Sequence, residues 1–463
     1  MSAEQQIVDY ICNTAYEDLS GAAVDTIKKM LLADIGTTIG GAHAEGCREL
    51  VEFCREQGGA PEASLLIHGG LVPAQNAALA NAVMSRALDF CDAIAPGAHI
   101  GSSIIPVALA CAELRGGCDG REFLTALVIG AEIAARFNLT ESAYDGFDPT
   151  GICVPFGAAA VASRLLGLDK EQTWNTLGIV FNRCGGTFQS NIDGTLSVRA
   201  NQGWVAQDAI TSARVAQRGF TGPRNFLNGI YGYLHLYGGD QITADDITGG
   251  LGSEDRTQFM VFKKYPSCGM TQAPTDVILG MIRDYKLDPV DIISVKLTLP
   301  PYGHRLVGHE FSIGDNPTVD GQFSAQYCIA NVLLRGSSRI YHFTPELVRD
   351  PAISKYLPVI TVLADPELDR RGHTAMDMEI RVTDGAVYKR ELDIAPGFPG
   401  NPLTEEDYLL RFRDCIDFGE EWFSEARAEK VRAFIQEIES SRDVRGLINL
   451  LTEKDIDVKA SAG

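Results

Sequence analysis

The sequence predicts a mainly α protein with an inserted α+β domain: one large all-helical domain and a smaller second domain. Three observations lead there. Apolar residues recur at helical spacing from the N-terminus to about residue 285, the period falls to two up to about residue 400, and helical spacing resumes after APGFPGNP, 395–402. Residues 1–285 and 403–463 are therefore expected to form the helical domain, and 286–402 the inserted α+β domain. A small-molecule site is expected between two such domains.

Helical spacing appears first in 22–40, 74–92, 103–115, 122–138, 156–166, 170–182, 203–218 and 271–284. Asp119 and Glu122 make a capping-box pattern before FLTALVIGAEIAARF, and Gly219 stands where a terminating glycine belongs. Faces such as FGAAAVASRLLG are built of Ala and Gly, so these helices can approach closely. In the insert, DIISVKLTLP alternates, LPVITVLAD is β-branched, and TAMDMEIRVT places Met376, Met378, Ile380 and Val382 on one face. Asp384-Gly385 predicts a type I′ turn into AVYKRELDI. A helix at about 322–335 is expected against this sheet, and Thr404 opens the last helical stretch. No period of 20 to 50 residues recurs, which excludes a solenoid.

With 463 residues, 45 % of them apolar, the chain can bury a large core. Its 61 acidic and 40 basic residues give a net charge of -21, which argues against nucleic acid or an anionic membrane as partner. An acidic small molecule would need a local cluster of cations. The opening MSAEQQIVDYICNTAYEDL lacks the basic and apolar regions of a signal peptide, and no run reaches the roughly 18 apolar residues of a membrane span, so a cytoplasmic protein is expected. Eleven scattered cysteines without CxxC predict reduced thiols. Eight histidines without HxH or HxxxH spacing, and the lack of a GxGxxG or a P-loop, predict neither metal nor organic cofactor.

Candidate chemistry concentrates in a few stretches. RALDFCDAIAPGAHIGSS, 86–103, puts Asp89 and Asp92 at the expected end of an Ala-rich helix, where the helix dipole disfavours acids, and sets His99 seven residues beyond Asp92. A carboxylate on one imidazole nitrogen fixes the tautomer and raises the basicity of the other, so Asp89 and His99 are a candidate orienter and acid–base. The alternative pairs Asp89 with Arg86 and lets His99 cap the next helix. Lys263 in FKKYPSCGMTQ is a candidate carboxylate clamp, against a solvated pair with Lys264. Cys268 serves as acid or base only beside a cation that lowers its pKa, and is otherwise packing. Tyr327 in SAQYCIANVLLRG is a hydrogen-bond donor or a core aromatic. His304-Arg305 falls on an expected loop of the inserted domain.

These stretches, with GFDPTG, ADIGTTIGGA and GWVAQDAITSARVAQRGFTGP in the same order, resemble the MmgE/PrpD family over nearly the full length. That family includes 2-methylcitrate dehydratase, cis-aconitate decarboxylase and iminodisuccinate epimerase. The resemblance implies a helical domain with a lid, a homodimer, no cofactor, and lyase or isomerase chemistry on di- or tricarboxylates. Asp89 and Asp92 match the outer acids of the family's LDFDD motif, with Cys91 in place of the middle one. His99 matches the histidine that follows, Lys263 and Cys268 match KxYPxC, and Tyr327 matches the tyrosine of the lid helix.

By this resemblance Asp89, His99, Tyr327 and Cys268 are catalytic, and Lys263, Arg199, Asp148, Asp92 and Gln272 bind substrate. The chain departs from the family pattern at Ala93, where threonine is common, and at Asp148, where histidine precedes proline. It departs again at Val198, where lysine is expected and Arg199 is the nearest cation, and at Gln272, where Thr-His is usual. These departures point to a divergent member with a smaller or differently charged substrate. The expected function is a cofactor-independent lyase, dehydratase or decarboxylase, acting on a small di- or tricarboxylic acid. An epimerase of the iminodisuccinate type and a non-catalytic carboxylate binder are the alternatives.

Overall fold

The computed structural model describes residues 1–144, 146–239, 241–419 and 422–452. The chain divides into two compact units. One comprises Met1–Ala87, Cys91–Met260 and the chain from Cys415; the other comprises Val261–Asp414 and, from far upstream, Leu88–Phe90. The divisions fall at 261 and 414, where periodicity alone placed them at 286 and 402.

The first unit is built on α1 (Gly21–Gly41), α2 (Ala74–Arg86), α3 (Gly101–Leu114), α4 (Gly120–Phe137), α5 (Pro149–Leu165), α6 (Lys170–Phe181) and α7 (Ser197–Ala216). Small residues let α4 and α5 touch through their backbones. A Cβ added to Gly157 would lie 2.3 Å from the Gly130 carbonyl oxygen, and one on Gly130 would lie 2.3 Å from Val161 Cγ2. Asp119 caps α4 by accepting the Glu122 N–H at 2.9 Å, and Gly219 takes φ +88° after α7. α2 ends at Arg86 rather than at residue 92. Asp89 adopts φ +51° beyond its end, and Asp92–Ile94 forms a short strand. The expected conflict between these acids and a helix dipole therefore does not arise.

The second unit carries β1 (Ile292–Leu299), β2 (Ile360–Ala364), β3 (Met376–Val382) and β4 (Val387–Leu392), in the order β2-β1-β3-β4. β1 and β2 are parallel, and the other neighbours are antiparallel. Met376, Met378, Ile380 and Val382 are all buried, as their alternation requires, and Ile380 lies opposite Val295. They share a core with α8 (Gln272–Tyr285) and α9 (Ala325–Arg335) through Val277, Ile278 and Ile329.

The turn after β3 is not type I′, because that turn needs positive φ at both central residues and Asp384 is not among the positive-φ residues. The Gly385 N–H donates to the Val382 carbonyl at 3.0 Å with Gly385 at φ +89°, a type I turn closed by a left-handed glycine. His304 and Arg305 lie on the short helix Pro301–Val307, not on a loop. α10 (Glu405–Phe418) opens with Thr404 and Asp407 exchanging hydrogen bonds, a capping box. Among the described residues no helix is long and apolar enough to cross a membrane.

Candidate active site

In the first unit the centre is His99, half-buried between the Asp92–Ile94 strand and α3. Its Nδ1 lies 2.7 Å from the Asp92 carbonyl oxygen and 3.3 Å from Cys91 Sγ. A carbonyl only accepts, so Nδ1 carries the proton and the lone pair of the neutral ring sits on Nε2. The His99 N–H donates to Thr150 Oγ1 at 3.0 Å, and the Thr150 N–H donates to Asp148 Oδ1 at 2.9 Å. Asp148 is thus the N-cap of α5 and reaches His99 through Thr150. Burial pushes the Asp148 carboxyl above the usual carboxylate range, against the pull of Asn201, the Thr150 N–H and Arg86.

Asp92, read from the sequence as a substrate ligand, has an architectural role. Its fully buried carboxylate accepts the N–H groups of Gly101 at 2.8 Å and Ile100 at 3.2 Å, where the start of α3 favours negative charge. Gly101 is required there, since a Cβ would lie 2.6 Å from Asp92 Oδ1 and 2.7 Å from Asp34 Oδ2. Asp34, Cys91 and Asp92 offer potential ligand atoms within 4.8 Å of one another, a trio assembled by folding that no spacing motif announces. Arg199, buried on α7, donates through Nη1 to the Glu45 carbonyl at 3.0 Å.

In the second unit Lys263 Nζ pairs with Asp89 Oδ2 at 2.7 Å, with side chains 5 % and 7 % exposed, and also donates to the Asp89 carbonyl at 2.8 Å. The neighbouring carbonyls are held as well. Leu88 O accepts from Gln322 Nε2 at 2.9 Å, and Phe90 O accepts from Arg411 Nη2. Three successive carbonyls are thus each gripped by a side chain far away in sequence. That grip offsets the cost of a left-handed residue bearing a Cβ, about 1–2 kcal/mol and less for Asp.

Three other candidates of this unit are tied into its framework. The buried Gln272 accepts the N–H groups of Lys264 and Tyr265 at 2.9 Å through Oε1, and donates to the carbonyls of Tyr265 at 3.0 Å and Ser267 at 3.1 Å through Nε2. Its amide shapes the KKYPSC loop and is not a free substrate ligand. The fully buried Tyr327 donates its hydroxyl to the His342 carbonyl at 2.5 Å and packs between Phe311 and Phe343, as a core tyrosine does. Cys268 is buried, with its N–H on the Gln322 carbonyl at 3.0 Å and its own carbonyl accepting from Thr271 Oγ1 at 2.8 Å. Lys264 pairs with Asp276 at 2.9 Å and Asp407 at 3.2 Å.

The structure therefore groups His99, Cys91, Asp92, Thr150 and Asp148 in one unit, and Asp89, Lys263, Gln322 and Arg411 in the other. Sequence reading missed Thr150, Gln322 and Arg411. Only Arg411 had a signal: it lies three residues from Tyr408 and next to Phe412, on the buried face of α10.

The chain is thus a mainly helical protein of two units, with an imidazole held in one tautomer in the first and buried cations on a left-handed turn in the second. More narrowly, the chain belongs to the MmgE/PrpD family: residues 5–244 match the MmgE/PrpD N-terminal domain and residues 265–440 the C-terminal domain. It is 22 % identical to a cis-aconitate decarboxylase-like protein, oryM, of Aspergillus oryzae, over 97 % of this chain and 98 % of that protein. It is 24 % identical to the cis-aconitate decarboxylase of Homo sapiens, covering 82 % of this chain and 80 % of that one. The mitochondrial 2-methylcitrate dehydratase of Yarrowia lipolytica is 21 % identical over 97 % of this chain and 90 % of its own length.

Proposed function

We propose that this protein is a cofactor-independent lyase that removes water or carbon dioxide from a small di- or tricarboxylic acid. The family and the decarboxylase and dehydratase relatives support the reaction type. The observation that carries the reading is the 2.7 Å contact of His99 Nδ1 with the Asp92 carbonyl, which leaves Nε2 as the proton-transfer atom. In a dehydration, Nε2 takes the proton next to a carboxylate, the carbon–oxygen bond breaks, and the imidazolium gives that proton to the leaving hydroxide, which departs as water. In a decarboxylation, His99 enters as the imidazolium, its Nε2 protonated from solvent; the carbon–carbon bond breaks, carbon dioxide leaves, and Nε2 gives that proton to the carbon that keeps the electron pair. Both reactions develop enolate-like charge beside a carboxylate, which a nearby positive charge stabilises. Lys263 holds the Asp89 turn in this reading, and Asp148 and Thr150 position the histidine.

The test is a proton NMR screen of the purified protein in D2O against a panel of small di- and tricarboxylates. Loss of one substrate with appearance of an unsaturated or shortened acid supports the lyase. Exchange of a carbon-bound proton without product overturns it in favour of an epimerase, and silence across the panel overturns it in favour of a carboxylate binder.

A further inference from the structure

In the second unit Lys263 is balanced by Asp89, and Lys264 by Asp276 and Asp407. Neither lysine offers an uncompensated charge to an anionic substrate. We propose that Arg411, on α10, is the residue of this unit that receives a carboxylate of the substrate. Its side chain is enclosed, with the residue only 3 % exposed. Nη2 donates to the Phe90 carbonyl, and the guanidinium lies over the Phe90 ring, 4.6 Å from its centroid. Neither partner carries a negative charge. Nε and Nη1 are buried and have no hydrogen-bond partner among the described residues.

A guanidinium stays protonated at any physiological pH, and a buried N–H left unmet costs about 1–3 kcal/mol, more on a charged group. A buried arginine with two of its three nitrogens unmet is therefore an incomplete arrangement, and an anion with oxygen acceptors completes it. The position suits the task. Phe90 follows Asp89 directly, so the backbone that Arg411 grips is the turn that carries the Asp89–Lys263 pair. The assignment rests on the carboxylic-acid substrate proposed above.

Tricarballylate, which has neither hydroxyl nor double bond to react, is a suitable probe by titration calorimetry. Arg411→Gln keeps an N–H for the Phe90 carbonyl and removes the charge. It should weaken tricarballylate binding by about 10- to 100-fold, as expected for loss of charge-assisted hydrogen bonds. Arg411→Lys, which keeps the charge, should stay within about tenfold of wild type. Gln322→Met loosens the Leu88 carbonyl without touching a charge and should change affinity less than about threefold. Unchanged affinity in Arg411→Gln, or an equal loss in Gln322→Met, makes Arg411 a backbone clasp and overturns this assignment while leaving the proposed reaction standing. A wild-type protein that binds no di- or tricarboxylate overturns both.

Discussion

Replacing Asp89 by Asn tests the buried ion pair without disturbing the backbone, because Asn tolerates left-handed φ better than other residues with a Cβ. In Asp89→Asn, Lys263 keeps the Asp89 carbonyl at 2.8 Å and loses its charge partner at 2.7 Å. With both side chains less than a tenth exposed, water cannot replace that partner. Removing one member of such a pair costs about 3–5 kcal/mol. Lys263→Met should cost a similar amount, since it strands the carboxylate instead. The double variant D89N/K263M strands nothing and should cost no more than either single, giving a coupling of about 3 kcal/mol. Urea titrations followed by circular dichroism read this as midpoint shifts of roughly 1 M for each single variant. Costs that simply add in the double variant, or singles costing less than about 1 kcal/mol as exposed pairs do, refute the reasoning.

His99→Asn should lower kcat by about 10²- to 10⁴-fold while the fold survives, because the Asn amide can still donate toward the Asp92 carbonyl; a rate within tenfold of wild type removes His99 from the chemistry. His342 Nδ1 accepts the Arg339 N–H at 3.2 Å, and burial, with Arg335 and Arg339 nearby, pushes its pKa down to about 4. The unfolded chain then binds more protons than the folded one between about pH 6.5 and 4, so this contribution is complete above pH 6.5 and fades as pH falls toward 4. His342→Asn should flatten that part of the stability curve, and identical curves for the two proteins contradict it. Exhaustive dialysis against EDTA should leave turnover unchanged; a loss restored by a divalent cation would instead assign metal binding to Asp34, Cys91 and Asp92.

The regular elements were legible because periodicity reports burial directly: β3 shows its buried face in four alternate residues, and α1, α3, α4 and α6 begin and end within two residues of where apolar spacing put them. The stop of α2 at Arg86 was not legible. No glycine or proline marks it, and the left-handed Asp89 is held by donors at 263, 322 and 411, which no local window contains. Tyr327 matched a family position and Gln272 replaced a usual Thr-His, yet pattern matching identifies a residue type at a place and not what its polar atoms touch. Arg411 was readable as a cation on an apolar helical face, a contradiction that only a tertiary partner or a ligand resolves.

The clasp on residues 88–90 also sets an order of events during synthesis. Phe90 and Arg411 are 321 residues apart, which at 5–20 residues per second separates their translation by about 15–60 s. Over that interval α2 and much of the helical unit are already made, Lys263 and Gln322 arrive in turn, and Arg411 comes last. Asp89 is thus finished late, by residues translated long after it. A ribosome stalled before α10 would hold a chain whose Asp89 turn has its donors at 263 and 322 and still lacks Arg411.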